Sequence, residues 1–439
     1  MTLALLLFGC SPAPELVDAD ASADGVGLAD AGVDADTAPR ADASADAASR
    51  DSAVSDVIAD APSALNAAID KAARAMQASQ QLVGLAVGVV YKGNVVHLGG
   101  YGLADRENNR SVDPRVTRFR WASISKTATA VVALRLVKSG ALALDEQVSA
   151  LLPGYAPPTT FVEPCGSQTT RTYKGQTISC YLGLFEMPLA PAEQALSLAQ
   201  LLGHLGGIMH YTNGRGSPVP PDALASDPKV NTGVAWALSY LTDKPLVAIP
   251  GTRYSYSTFG FNLAGAALAA RSGQSFAALI KIHVAQPAGA PSIEPDHEWL
   301  ATKERAAGYA MSGGSIVRQG STDVSWKLPG GGLHSTVQDI TRYCRALDDH
   351  TLLDATQRAQ AFTAQKTSDG KSTGYGLGFD PGSRAGRPYA QHSGSQQKAR
   401  TQLRLYFEDN LCIVVMSNST YADTGALVNG IEDAVRPLL

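Results

Sequence analysis

The runs Val83-Gly-Leu-Ala-Val-Gly-Val-Val-Tyr91 and Val95-Val-His-Leu98, joined by Lys92-Gly-Asn94, form the stretch on which the fold turns. Two β-rich apolar runs separated by a short Gly-Asn turn predict a β-hairpin. Far downstream, Tyr375–Phe379, Thr401–Phe407 and Leu411–Met416 read as further strands. Before the hairpin, Leu65, Ile69, Ala72, Ala73 and Met76 recur at helical spacing, with order beginning at Pro62 and Ser63 as N-cap. A closing helix is predicted over about Ala422 to Val435. Strands from both ends, with helices outside them, predict an α+β fold: an antiparallel sheet flanked by N- and C-terminal helices. The segment of about 140–325 is rich in Pro and Gly but holds helical pieces such as Ala195–Leu202 and Phe261–Ala270. It predicts a second, mostly helical lobe within one folded domain over 62–439.

The chain has 439 residues, 45% of them hydrophobic, so a sizeable core can be buried. The net charge of −4 is unevenly spread: residues 1–60 hold eleven Asp and one Glu against two Arg, and the remainder is net +6. That mild basicity, without a Lys/Arg stripe interleaved with aromatics, argues against nucleic acid as a partner. Residues 11–61 are mostly Ala, Asp, Ser, Gly and Pro, and such a segment buries too little to offset its ordering entropy. It is expected to be a disordered linker. Ahead of it, apolar Met1–Leu7 and Phe8-Gly-Cys10 resemble a bacterial lipoprotein signal, although no positive residue precedes a rather short apolar run. The resemblance implies lipidation at Cys10, export to the cell envelope, and membrane contact through that anchor alone. Of the other cysteines, Cys165 and Cys180 bracket a polar stretch and are expected to pair if the protein is exported. Cys344 and Cys412 lie in apolar helical and strand contexts and are expected as buried core residues. No Cys-x-x-Cys or His-Glu-x-x-His occurs, so no metal site is predicted.

Ser-x-x-Lys occurs four times, at Ser123/Lys126, Ser226/Lys229, Ser368/Lys371 and Ser395/Lys398. Ser226-Asp-Pro-Lys229 contains a proline and Ser368-Asp-Gly-Lys371 reads as a turn. Ser123-Ile-Ser-Lys126 alone opens a long apolar helix, which ends at Lys138-Ser-Gly140. There the i, i+3 spacing sets the Lys126 amine on the face of the Ser123 hydroxyl, and the helix start offers an N–H to a developing oxyanion. Burial of Lys126 would favour its neutral, proton-accepting form. In isolation the same residues also read as an N-cap serine followed by a solvated lysine.

Trp121-Ala-Ser-Ile-Ser-Lys126-Thr-Ala-Thr-Ala resembles the nucleophile segment of class C β-lactamases and their serine-peptidase and esterase relatives. Similar segments follow in family order: Gly102-Leu-Ala-Asp105, Leu142-Ala-Leu-Asp145, Leu201-Leu-Gly-His-Leu-Gly-Gly207, Pro250-Gly-Thr-Arg-Tyr-Ser-Tyr256-Ser-Thr258, Gly330-Gly-Gly-Leu333 and Tyr375-Gly-Leu-Gly378. The resemblance implies Ser123 as nucleophile, Lys126 as base and Tyr256 as the group that shares the proton and protonates the leaving group. Thr258 stands where the family's Tyr-x-Asn motif has Asn, at the substrate amide; the literal Tyr211-Thr-Asn213 is read as a surface turn. His392-Ser393-Gly394 occupies the place of Lys-Thr-Gly, with the Ser395 N–H as second oxyanion donor and Gly394 admitting a substrate backbone. A histidine there is mostly neutral near pH 7, which weakens the expectation of carboxylate-anchored β-lactam hydrolysis. His204, expected to order its loop by hydrogen bonding, and the Tyr-Ser-Thr triplet point toward the mitochondrial β-lactamase-like branch. The expected function is a cofactor-free serine hydrolase acting through an acyl-enzyme on amides or esters, as a peptidase or esterase on peptides or small molecules. A β-lactamase or D-alanyl-D-alanine carboxypeptidase, and a non-catalytic surface binding protein of the same fold, are the alternatives. The sequence sets no oligomeric state.

Overall fold

A computed structural model describes residues 63–211, 238, 241, 244–297 and 302–438. The expected signal, linker and Cys10, together with Pro62, Ser226/Lys229 and Thr212-Asn213, lie outside the described residues. Seven strands form one sheet: β1 (Gly84–Tyr91), β2 (Asn94–Asp105), β3 (Arg110–Ser111), β4 (Asp380–Arg384), β5 (Arg387–Gln396), β6 (Ala399–Tyr406) and β7 (Leu411–Ser417). Their order is β4-β5-β6-β7-β1-β2-β3, antiparallel throughout. β1 pairs with β7 from Leu85 opposite Ser417 to Tyr91 opposite Leu411, so the two ends of the domain meet in the middle of the sheet.

The unbroken apolar run of β1, without polar alternation, requires cover on both faces. One face carries α1 (Ser63–Ser79), whose Leu65, Ile69 and Ala73 pack with Leu427, Val428 and Ile431 of the closing helix Thr424–Val435. The other carries the amphipathic helix Val337–Asp348, and the core on that side includes α2 (Ser125–Lys138). Gly88 of β1 explains the close seating of the amphipathic helix, because a Cβ there would overlap the Thr341 hydroxyl. The segment 140–325 contributes α3 (Thr258–Ser272) and shorter helical turns, with an antiparallel pair, Thr160–Pro164 on Leu184–Pro188, that encloses the hairpin Thr170–Tyr173 on Gln176–Ser179.

Cys165 and Cys180 are bonded to each other, their Cα atoms 6.0 Å apart. Cys344 and Cys412 are buried, as expected of core residues, but they too are bonded, with Cα atoms 6.4 Å apart. The expectation of isolated core thiols is corrected: helix Val337–Asp348 lies on the sheet so that its Cys344 comes over β7. Closing that 68-residue separation lowers unfolded-chain entropy by an amount worth about 4 kcal/mol. Tyr375–Phe379 is corrected as well. Gly374 and Gly378 take φ of 73° and 75°, and the Gly376 N–H bonds the Phe379 carbonyl, so the stretch is a turn and the strand begins at Asp380.

Candidate active site

A 3-10 turn, Ala122–Ile124, leads into α2 and carries Ser123 at its centre. Ala122 adopts φ 49°, a left-handed conformation that a non-glycine residue holds only when its surroundings enforce it. They do so from three sides. The Trp121 N–H bonds the Leu333 carbonyl and its indole Nε1–H bonds Ser335 Oγ (2.8 and 2.7 Å). The Thr401 hydroxyl donates to the Trp121 carbonyl at 2.9 Å, and the Leu333 N–H donates to Ser125 Oγ at 3.2 Å. Just upstream, Arg120 Nε donates to the fully buried Asp296 carboxylate at 2.5 Å, and Arg305 pairs with the same carboxylate at 2.8 Å. The turn is therefore anchored before any substrate arrives.

Ser123 Oγ lies 3.3 Å from Lys126 Nζ and 2.8 Å from the Tyr256 hydroxyl. Lys126 is wholly buried, its Nζ also 3.2 Å from Thr258 Oγ1 and 2.5 Å from the Gly330 carbonyl. No carboxylate among the described residues pairs with it. Burial, reinforced by the nearby Lys327 ammonium, holds its pKa well below the usual lysine value. A neutral amine then has two N–H groups for Thr258 and Gly330, and a lone pair for the Ser123 proton. Burial pushes the Tyr256 phenol above its ordinary range, outweighing the opposite effect of its hydrogen bond with Ser123 Oγ, so the phenol keeps its proton and donates it to Ser123. Of the other Ser-x-x-Lys pairs, Ser368/Lys371 is an exposed turn with Lys371 paired to Asp369 at 2.7 Å. In Ser395/Lys398 a strand residue precedes a turn lysine at φ 67°.

Tyr256 precedes α3, and the His204–Tyr211 loop fixes that junction. His204 Nδ1 accepts the Ser257 N–H at 3.1 Å, and His210 Nδ1 accepts the Thr258 N–H at 3.2 Å. Ser257 caps the helix, accepting from Gly260 N–H and donating to the Met209 carbonyl, both at 2.8 Å. The His204 ring also packs 4.3 Å from Tyr256 and 4.7 Å from Tyr375, centroid to centroid. Both histidines must be neutral to accept. Burial first, then Lys126, keeps His204 well below its usual pKa and His210 down at about 4.

His392, Ser393, Gly394 and Ser395 lie on β5. Pairing with β4 stops at Gln391, so among the described residues this part of β5 has a strand partner only in β6, and its other edge borders the Ala122–Ile124 turn. Ser393 and Ser395 are exposed and line a cleft of about 440 Å³ with Ser123, Tyr256 and His392. His392 is buried. Its Nδ1, 2.6 Å from the Ser393 carbonyl, must carry the proton, and its Nε2 receives the Tyr375 O–H at 2.9 Å. Burial and then Lys126 depress its pKa to about 3, so no cation stands there at neutral pH.

Two expected substrate contacts are placed differently. Thr258 is buried with its hydroxyl on Lys126, and it does not line the cleft, because the capped start of α3 turns it inward. A Cβ on Gly394 would overlap Thr401 Oγ1 and the Trp121 carbonyl, so this glycine admits the serine turn of the protein itself and not a substrate backbone. Sequence reasoning passed over the Gly330 carbonyl, Tyr375 and His210. The first two sat inside the Gly330-Gly-Gly-Leu333 and Tyr375-Gly-Leu-Gly378 segments, where a role beyond family likeness could have been sought.

Known proteins are similar to this chain over most of its length. Esterase EstB of Burkholderia gladioli is 28% identical over 410 residues, covering 84% of this chain and 94% of its own. The mitochondrial serine β-lactamase-like protein LACTB of Mus musculus is 24% identical over 326 residues, 60% of this chain and 54% of its own. Among solved structures, EstCE1, described as a hydrolase with promiscuous acyltransferase activity, superposes with a TM-score of 0.66 at 19% identity. That match covers 85% of this chain and 98% of the other, and at such identity it speaks for the fold. The family model named Beta-lactamase matches residues 69–435, from the first turns of α1 through the closing helix, and with Lys126 and Tyr256 both hydrogen-bonded to Ser123 the chain belongs to the β-lactamase family of serine hydrolases.

Proposed function

We propose that Ser123 is the nucleophile of an acyl-transfer hydrolase for esters or amides, with Lys126 as its base. The observation that carries the proposal is the Ser123 hydroxyl set between a desolvated amine at 3.3 Å and a neutral phenol at 2.8 Å. Lys126 Nζ takes the Ser123 proton as Oγ bonds to the substrate carbonyl carbon. The carbonyl oxygen becomes an oxyanion, held by the N–H groups of Ser123 and Ser395. Collapse breaks the bond to the leaving group, which takes a proton through Tyr256, replenished from Lys126. Water then attacks the acyl-enzyme by the reverse proton path, releasing the acid and restoring Ser123. The neutral His392 supports ester or peptide substrates over β-lactams anchored by a carboxylate, and the esterase relative supports the same reading.

The test is covalent labelling by a fluorophosphonate, read by intact mass, with hydrolysis of nitrophenyl esters, peptides and nitrocefin alongside. Wild type should gain one adduct and turn over esters or peptides faster than nitrocefin, and Ser123→Ala should do neither. Equal labelling of both proteins, or nitrocefin as the preferred substrate, refutes the assignment. We also propose that the protein is exported and tethered through a lipid on Cys10. Two disulfides among the described residues support an oxidising compartment.

A further inference from the structure

The acyl-transfer steps leave two features of the cleft unused, an aromatic wall and a carboxylate. Tyr254 and Tyr375 form the wall, with ring centroids 6.0 Å apart and Tyr254 37% exposed. Asp380, the first residue of β4, lines the same cleft and is half-buried. Gln391 faces it in the β4–β5 register and donates from Nε2 to Asp380 Oδ2 at 3.0 Å. The orientation of that amide is fixed from behind, because Gln391 Oε1 accepts from Gln402 Nε2 and Arg404 Nε, both at 2.9 Å. Asp380 Oδ1 has no hydrogen bond among the described residues. The carboxylate is thus held in place by one oxygen and keeps the other for a ligand.

Its charge stands alone on the described lining. His210 and His392 are neutral at pH 7, and the lining tyrosines are protonated. Lys126 beneath Ser123 is held neutral by its burial, and Lys327 has its Nζ over the rings of Tyr211 and Trp326 at 5.6 and 5.4 Å. Burial first, and then the Asp380 charge, keeps the Tyr254 phenol protonated, and the same charge adds to burial at Tyr375. One carboxylate beside two tyrosine rings is the arrangement that favours an ammonium, through charge and through the negative ring faces.

We propose that Asp380, Tyr254 and Tyr375 form a cation subsite, and that the preferred substrates are esters or amides bearing a protonated amine. The inference rests on Ser123 being the nucleophile, and it adds a specificity-determining residue to that reaction. Two matched pairs locate the amine. Alanine nitroanilide against propionyl nitroanilide tests the acyl half, and 2-aminoethyl butyrate against propyl butyrate tests the leaving half. In wild type the amine-bearing member of one pair should have the higher kcat/KM by about tenfold. Asp380→Asn should bring that ratio close to one, whereas Asp380→Glu, which keeps the charge, should retain most of it. No preference in either pair, or preference for the uncharged member, overturns the proposal, as does a ratio that survives in Asp380→Asn or vanishes in Asp380→Glu. Failure of the Ser123 reading has a different signature: Ser123→Ala would then turn over the uncharged substrates at the wild-type rate.

Discussion

Acid should loosen this protein through His392, by an amount that its surroundings set. The ring is 5% exposed, its Nδ1–H is spent on the Ser393 carbonyl, and its Nε2 faces the Tyr375 hydroxyl. Protonation would place a second N–H against the Tyr375 O–H and a charge near Lys126. The folded pKa is therefore about 3, against about 6.5 for histidine in an unfolded chain. Because the unfolded chain takes up the proton first, the stabilisation is complete above about pH 6.5 and is lost as pH falls toward about 3. The slope is about 1.4 kcal/mol per pH unit, so cooling of stability between pH 7 and about pH 4.5 amounts to about 2.5 kcal/mol from this ring. His392→Gln removes the contribution, while the carboxylates and other histidines titrate alike in both proteins. Urea unfolding of wild type and variant at the two pH values should show wild type losing about 2.5 kcal/mol more than the variant. A difference between the proteins that stays constant with pH would show that His392 is not held neutral, and the account of the cleft's charge would fall with it.

Gly394→Ala should cost about 1–3 kcal/mol, because its methyl group must displace Thr401 or the Trp121 carbonyl. Displacing the turn that carries Ser123 should also lower kcat with little change in the KM of small esters, and a variant matching wild type in both stability and kcat would refute the packing role. Cys10→Ser should move the protein from the membrane fraction to the soluble fraction of cells expressing the full chain. Unchanged membrane association of the variant would exclude the lipid tether.

The legible parts of this molecule are those with a local physical signature. Val83–Tyr91 announces a strand covered on both faces because nothing polar interrupts it, and Ser123/Lys126 stands out from three other matches because a long apolar helix follows. What stayed hidden depends on which distant residues come to share a layer. Cys412 meets Cys344 only because a helix crosses β7 at that point. Thr258 faces Lys126, and not the cleft, because two histidines from a separate loop cap the start of α3. Gly394 looks like an opening for a substrate until the Trp121 carbonyl is placed beside it. Ala122, at φ 49°, carries no mark of its left-handed geometry, because alanine has no preference for it.

The pairing of β1 with β7 has a consequence for how the chain is made. Leu85 finds its partner Ser417 only after more than three hundred intervening residues have been synthesised. Such a high sequence separation delays closure of the sheet centre, and slow closure leaves apolar strands uncovered for longer. Until β7 docks, the long apolar runs of β1 and β2 have no permanent cover, and Ser123 and Ser395 are not held together. Loss of the closing strand would take the common partner from β1 and β6 and split the sheet at its centre.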